Sequence, residues 1–265
     1  MGRAALAAVL VAAAVATAHA ASFVVTSQRL DLDAQRGVLR AWGVRITDGL
    51  RVVTAPRLVL ERQAGLGVLE GGVQARGPEG ELRGQVVRIR FTPALELTRF
   101  EATGSPRLVS AGRVLSSSRL TLDPRSGVAT AEGAPRLVVP PDLRATGGRI
   151  VYRSRERTAH VASPARFENR EGALQGRDAE FDLKSQTARL EGPVSFRFPA
   201  GRGVAQAAVA DFGQGRVVLA GPVRMRWRSS VLEAERVTVW YRQGRVVVEG
   251  ASRIRVEEED LPQRP

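Results

Sequence analysis

The feature that most constrains this chain is a repeat. Residues 178–198 read DAEFDLKSQTARLEGPVSFRF, residues 207–227 read AAVADFGQGRVVLAGPVRMRW, and residues 236–256 read RVTVWYRQGRVVVEGASRIRV, three blocks of 21 residues starting 29 positions apart. Apolar side chains fall in the same columns, at every second position. The first strand of each block carries Ala179, Phe181 and Leu183, then Ala208, Ala210 and Phe212, then Val237, Val239 and Tyr241. A short turn follows (KSQT, GQG or RQG). The second strand carries Ala188, Leu190, Val194, Phe196 and Phe198, then Val217, Leu219, Val223, Met225 and Trp227, then Val246, Val248, Ser252, Ile254 and Val256. A period of two places each set on one face of a pleated strand. Arg189, Glu191, Ser195, Arg197, Arg224, Arg226, Glu249, Arg253 and Arg255 stand between them and form a polar opposite face.

A small residue marks the middle of each second strand: Gly192, Gly221 and Gly250. The slot continues backwards through Ser163, Gly133, Gly104 and Gly71 to Trp42, at intervals that read, from Trp42 onward, 29, 33, 29, 30, 29, 29 and 29. Eight units therefore fill the chain, the signature of a stacked repeat. Pro106, Pro135, Pro164, Pro193 and Pro222 follow the slot closely, and a proline there breaks the ladder and bends the strand. Earlier units keep the pattern with Leu58, Leu60, Leu69, Ile89, Phe91, Phe100, Leu120, Leu122, Leu137, Ile150, Tyr152 and Phe167. With no linker or shift in composition, residues 21–256 read as one domain of about sixteen strands.

The two ends differ from this body. Arg3, the small apolar run from Ala4 to Ala18 and the Ala18-His19-Ala20 site predict a signal peptide over 1–20, and hence export to the periplasm. At the other end, 257–265 read EEEDLPQRP, an acidic, proline-containing tail. The net charge of +13 is almost all arginine, Lys184 being the only lysine. It fits either a solvated face or guanidinium forks that meet phosphates or carboxylates.

Short turns separate the strands, and antiparallel neighbours need no more than that. A stack of antiparallel strands folded into a narrow trough is expected, with a parallel β-helix as the alternative. A transmembrane barrel is excluded, because the outward columns hold arginine and glutamate rather than a lipid-facing apolar band. Little here supports catalysis, and no enzyme activity, cofactor or metal is expected. The chain has no cysteine, which removes thiol chemistry, and beyond residue 20 its one histidine is His160 on an outward column. GLGVLEGG at 65–72 lacks the strand–helix context of a nucleotide loop. Nucleic acid is not expected as a partner, since no basic run interleaves with aromatics.

The blocks ARLEGPVSFRF, VVLAGPVRMRW and VVVEGASRIRV, each after a strand and a short turn, resemble the OstA-like repeat of the periplasmic lipopolysaccharide-transport family (LptA, LptC and the N-terminal domain of LptD). The resemblance covers about residues 22–256 and lies in repeat length, alternation and the mid-strand glycine. It implies an all-β, open β-jellyroll, folded like a taco, of about sixteen antiparallel strands. Further implications are an LptA-like bridging role, lipopolysaccharide or a related lipid as cargo, and edge-to-edge strand pairing with LptC-like and LptD-like domains or head-to-tail with further copies.

An apolar groove for acyl chains would then be lined by Leu58, Leu60, Ile89, Phe91, Leu122, Leu137, Tyr152, Phe167, Phe181, Leu183, Leu190, Val194, Phe196, Phe198, Phe212, Leu219, Met225, Trp227, Val239, Tyr241, Val248 and Ile254. Arg197, Arg224, Arg226 and Arg228 are candidates for a phosphate-contacting rim. The same columns also fit plain core packing. The remaining alternatives are a β-helical carbohydrate-active or adhesin-like surface protein and a periplasmic scaffold that carries nothing.

Overall fold

The computed structural model describes residues 24–47, 50–78, 80–92, 97–123 and 125–256; the expected signal segment 1–20 and the tail 257–265 lie outside them. The described residues form 23 strands and no helix, and the strand pairs are antiparallel. The fold is all-β and antiparallel, as the alternation requires. Two compact units divide the chain, Met1–Leu137 with Arg153–Arg155, and Val138–Tyr152 with Glu156–Pro265.

The first unit holds β1 (Val24–Thr26), β2 (Arg29–Asp33), β3 (Val38–Thr47), β4 (Val52–Glu61), β5 (Leu66–Gly77), β6 (Gly80–Phe91), β7 (Leu97–Thr103), β8 (Arg107–Ser110), β9 (Arg113–Ser116), β10 (Arg119–Asp123) and β11 (Val128–Glu132). The boundary falls within β12 (Arg136–Val139). To the second belong β13 (Leu143–Thr146), most of β14 (Arg149–Arg153), β15 (Thr158–Ala162), β16 (Ala165–Asn169), β17 (Gly172–Gly176), β18 (Asp178–Asp182), β19 (Thr187–Phe198), β20 (Gly201–Asp211), β21 (Arg216–Trp227), β22 (Ser230–Trp240) and β23 (Arg245–Arg255).

Twenty-three segments and about sixteen expected strands are the same chain counted differently. Seven strands are cut at mid-length, giving β1/β2, β7/β8, β9/β10, β11/β12, β13/β14, β15/β16 and β17/β18. Several cuts fall at the expected slot. Gly104 and Ser105 (φ 77° and 58°) separate β7 from β8, Gly133 and Ala134 (φ 74° and 56°) separate β11 from β12, and a cis Ser163–Pro164 peptide separates β15 from β16. The unbroken strands bulge at the same slot, where the pairing register shifts between Glu191 and Val194 and between Ala220 and Val223. One expectation needs correcting. In the first repeat the left-handed residue at the slot is Gly43 (φ 59°), not Trp42, whose ring instead lies under the Arg29 guanidinium at 5.0 Å. A glycine takes that backbone conformation without a Cβ clash, and tryptophan does not.

The bend sends the two halves of a strand to different partners. In β6, Glu81–Arg83 pair with β8 while Val86–Phe91 pair with β7. In β19, Thr187–Glu191 pair with β18 and Ser195–Arg197 with β17. Inner-face residues then line up across neighbouring strands. In the first unit Ala41, Leu58, Leu69, Val87, Ala102 and Leu120 form one such row. In the second, Val161, Ala179, Leu190, Ala208, Leu219, Val237 and Val248 form another. These rows are the core, and every member named is buried except Val248 on the terminal strand.

Candidate functional site

The aromatic columns of the second unit meet inside it. The repeat puts Phe167, Phe181 and Phe212 on one inner face, and their rings pack with centroids 5.5 to 6.3 Å apart. A second group stacks Phe196 on Phe198 (6.4 Å) and Phe198 on Tyr241 (5.1 Å, 6° between planes). Tyr241 keeps its hydroxyl at the group's margin, where it accepts a hydrogen bond from the Asn169 amide at 3.5 Å, and burial pushes the phenol above its ordinary value. Small residues make room for these rings, as where Ala159 and Ala188 stand directly opposite Phe181.

Most of the groove candidates are buried. Leu58, Leu60, Ile89, Phe91, Leu137, Phe167, Phe181, Leu183, Leu190, Val194, Phe196, Phe198, Phe212, Leu219, Met225, Val239 and Tyr241 all are, so neighbouring side chains cover them. Leu122, Tyr152 and Val248 are half-buried. Trp227 and Ile254 stand apart at 47% and 58% exposed. Trp227 is the last residue of β21, and Ile254 lies on the terminal strand. One inner row runs Phe167, Leu174, Phe196, Gly203, Met225, Leu232, Ile254 across β16, β17, β19, β20, β21, β22 and β23. Along it the large side chains are buried as far as Met225, Leu232 is half-buried, and Ile254 lies open. The apolar face thus has a covered interior and an uncovered end. Leu232 belongs to that end and is absent from the sequence columns, because β22 carries its bend near Glu235 and shifts phase there.

The four candidate rim arginines lie near the turns that join β19 to β20 and β21 to β22. Arg224 pairs with Glu233 at 3.1 Å, and Arg228 lies 5.2 Å from the Trp227 ring. Arg224 and Arg226 line a surface hollow of about 400 Å³ with Arg202, Gly203, Val204, Met225 and Val231. Arg197 lines another of about 350 Å³ with Glu168, Asn169, Arg170, Glu171, Gly172, Phe198 and Pro199. Two arginines of this rim, Arg202 and Arg255, were not among the four. Arg202 was legible, since a two-residue Pro-Ala turn between Phe198 and Gly201 sets Arg197 directly opposite it. His160 stands opposite Glu180 across β15 and β18. Among the described residues no three His, Cys, Asp or Glu side chains are grouped to hold a metal ion.

Fold and site together define a class: a repeat-built antiparallel β protein with an apolar inner face left open at its terminal strand and arginines along the adjoining rim. No family model matches the chain. No curated protein matches it either. Among solved structures, it is similar to LptH, the LptA-homologous periplasmic component of the lipopolysaccharide transport device of Pseudomonas aeruginosa. That alignment has 14% identity and a TM-score of 0.40, and covers 45% of this chain and 95% of that one. At that score and identity the likeness carries no weight for what this chain does.

Proposed function

We propose that the protein is an exported, non-enzymatic lipid binder of the LptA-like kind. In this reading it takes the acyl chains of lipopolysaccharide, or of a related phosphate-bearing envelope lipid, against its inner face. The observation that supports this best is the uncovered end of the inner row, where Leu232, Ile254 and Trp227 present apolar surface beside the rim arginines. Water makes such surface costly. Burying a methylene is worth about 0.8 kcal/mol, so a chain of about twelve carbons gains on the order of 10 kcal/mol by leaving water. Guanidinium groups at the rim suit phosphate, which they hold with two parallel hydrogen bonds. The edges of the stack also fit the proposal that LptC-like or LptD-like domains, or further copies of the chain, add strands there. Ser252 and Ile254 continue the inner face on β23, so a strand added to β23 would extend the apolar surface rather than end it.

Native mass spectrometry of protein purified without detergent from its own envelope tests the reading, with extraction of lipid from the same sample. Bound lipid is expected, and it is expected to be lost in Leu232→Asp and Ile254→Asp. Both residues sit at the open end, and circular dichroism checks that the variants remain folded. A lipid-free mass that takes up no added envelope lipid would overturn the proposal and leave the inner face as packing alone.

A further inference from the structure

A row of arginines crosses the outer face of the second unit. Along one line of direct cross-strand partners stand Arg197 on β19, Arg202 on β20, Arg226 on β21, Val231 on β22 and Arg255 on β23. Adjacent strands lie about 4.8 Å apart, so the row is about 19 Å wide, and like charges set directly opposite one another repel. All four arginines are exposed, and none has an ion pair among the described residues. On the next outer line Ser195, Val204, Arg224, Glu233 and Arg253 face one another in the same strand order. Both lines contribute to the hollow of about 400 Å³. Arg202, Arg224 and Arg226 supply its charge, Val204 and Val231 its apolar wall, and no carboxylate lines it. Glu233 pairs with Arg224 at 3.1 Å, which leaves Arg202 and Arg226 unneutralised.

This surface faces away from the apolar inner row. Arg226 alternates with buried Met225 along β21, and Arg202 with Gly203 along β20. An anion held in the hollow therefore need not belong to a lipid whose chains lie against Met225 and Leu232. What stands between the charges points to its source. A soluble anion has no use for exposed apolar side chains. Yet Val204, in the wall of the hollow, is 51% exposed, and Trp227, 47% exposed, follows Arg226 directly at the end of β21. Arginine interleaved with tryptophan and valine suits a lipid–water boundary, where the amphipathic indole sits at headgroup level and guanidinium forks hold phosphate. We propose that this outer face docks on the surface of an anionic bilayer. Lipid phosphates lie over Arg197, Arg202, Arg226 and Arg255, and one headgroup enters the hollow. The docking does not depend on whether the inner face carries lipid.

Co-sedimentation of the full chain with vesicles tests this, so the charges of Glu257 to Asp260 count in the outcome. Binding is expected to mixed phosphatidylglycerol and phosphatidylcholine vesicles and not to phosphatidylcholine alone. Arg202→Gln with Arg226→Gln is expected to weaken it about 30-fold, since each arginine near an anionic surface contributes about fivefold. Both side chains are exposed, and circular dichroism checks that the variant stays folded. Arg88→Gln with Arg90→Gln removes the same charge from exposed positions of β6 in the first unit, and is expected to cost no more than a few-fold. Trp227→Ala is expected to weaken vesicle binding several-fold and to leave the affinity for inorganic tripolyphosphate unchanged. Equal weakening by the two arginine pairs overturns the proposal, because net charge alone then draws the protein to the vesicles. Vesicle binding that is absent, or unchanged in Trp227→Ala, also overturns it, and tripolyphosphate capture without vesicle binding assigns the row to a soluble polyanion instead. Sedimentation reads protein on the bilayer and native mass spectrometry reads lipid carried off it, so this proposal and the proposed function fail separately.

Discussion

Asp33, Asp123, Asp182 and Asp211 each close the first strand of a repeat, and each turns the chain with its own carboxylate. The Oδ1 atom of Asp182 accepts the backbone N–H groups of Lys184 (2.7 Å) and Ser185 (3.0 Å), and that of Asp211 accepts from Gln214 (2.9 Å). Asp33 accepts from Arg36 and Asp123 from Arg125 and Ser126 in the same way. An aspartate that supplies its own turn is a local signal, although the turns are read from the stretches KSQT and GQG that follow rather than from the aspartate. Less legible was the residue that ends each turn. Arg157 and Gln186 take the left-handed conformation (φ 56°) that Gly127 and Gly215 take in other copies, with no glycine to announce it. The N–H groups of Ser185 and Lys184 hold the Asp182 carboxyl below its ordinary value. A carboxylate so depressed contributes stability above its unfolded value of about 3.9, and that contribution is lost as pH falls through the lower folded value. Asp182→Ala is expected to lose about 1 kcal/mol at neutral pH, the scale of a solvent-screened capping bond. Urea midpoints measured from neutral pH down to about 2 check this: the gap between the two proteins should close at the acid end.

Bends, not turns, set the strand partners, and here glycine matters most. Gly192 and Gly221 occupy the same slot with the same backbone (φ 82° and 81°), but their surroundings differ. A Cβ on Gly221 would meet the Gln206 Cβ at 2.4 Å, whereas on Gly192 the nearest atom is the Arg177 Cβ at 3.7 Å. Alanine at either site takes on about 1–2 kcal/mol for the left-handed conformation. Gly221→Ala is expected to cost more than Gly192→Ala, by the extra needed to move Gln206, and paired thermal or urea melts measure the difference. Equal losses would mean that β20 and β21 part easily at the bend. The sequence columns named the inner faces of these strands because alternation is local. They could not show that Ile254 lies open while Phe196 and Met225 do not, for exposure along that row depends on how many strands lie beyond. Nor could they align Arg197, Arg202, Arg226 and Arg255, residues up to 58 positions apart, before the register of four strand pairs was known.

Over the whole molecule, charge is lopsided. Forty Lys and Arg side chains face 27 Asp and Glu, a formal net of +13. The ion pairs that form are on the surface, as with Arg57 and Glu70 at 3.2 Å or Arg236 and Glu249 at 3.2 Å, and exposed pairs of this kind are worth little. Repulsion among the surplus arginines should outweigh them. Raising sodium chloride from about 10 mM to about 1 M shortens the screening length from about 30 Å to about 3 Å. The melting temperature is expected to rise over that range, and a fall would show that the ion pairs contribute more than the repulsion costs.

The rows also say something about how such a protein changes length. Because Leu190, Ala208, Leu219, Val237 and Val248 pair in register only with the strand before and the strand after, a repeat can be spliced out or duplicated between matching bends with the remaining pairs kept in register, while ring contacts across repeats, such as Phe198 on Tyr241, must be made anew. Each such event alters the stack by a fixed step of two strands, about 10 Å.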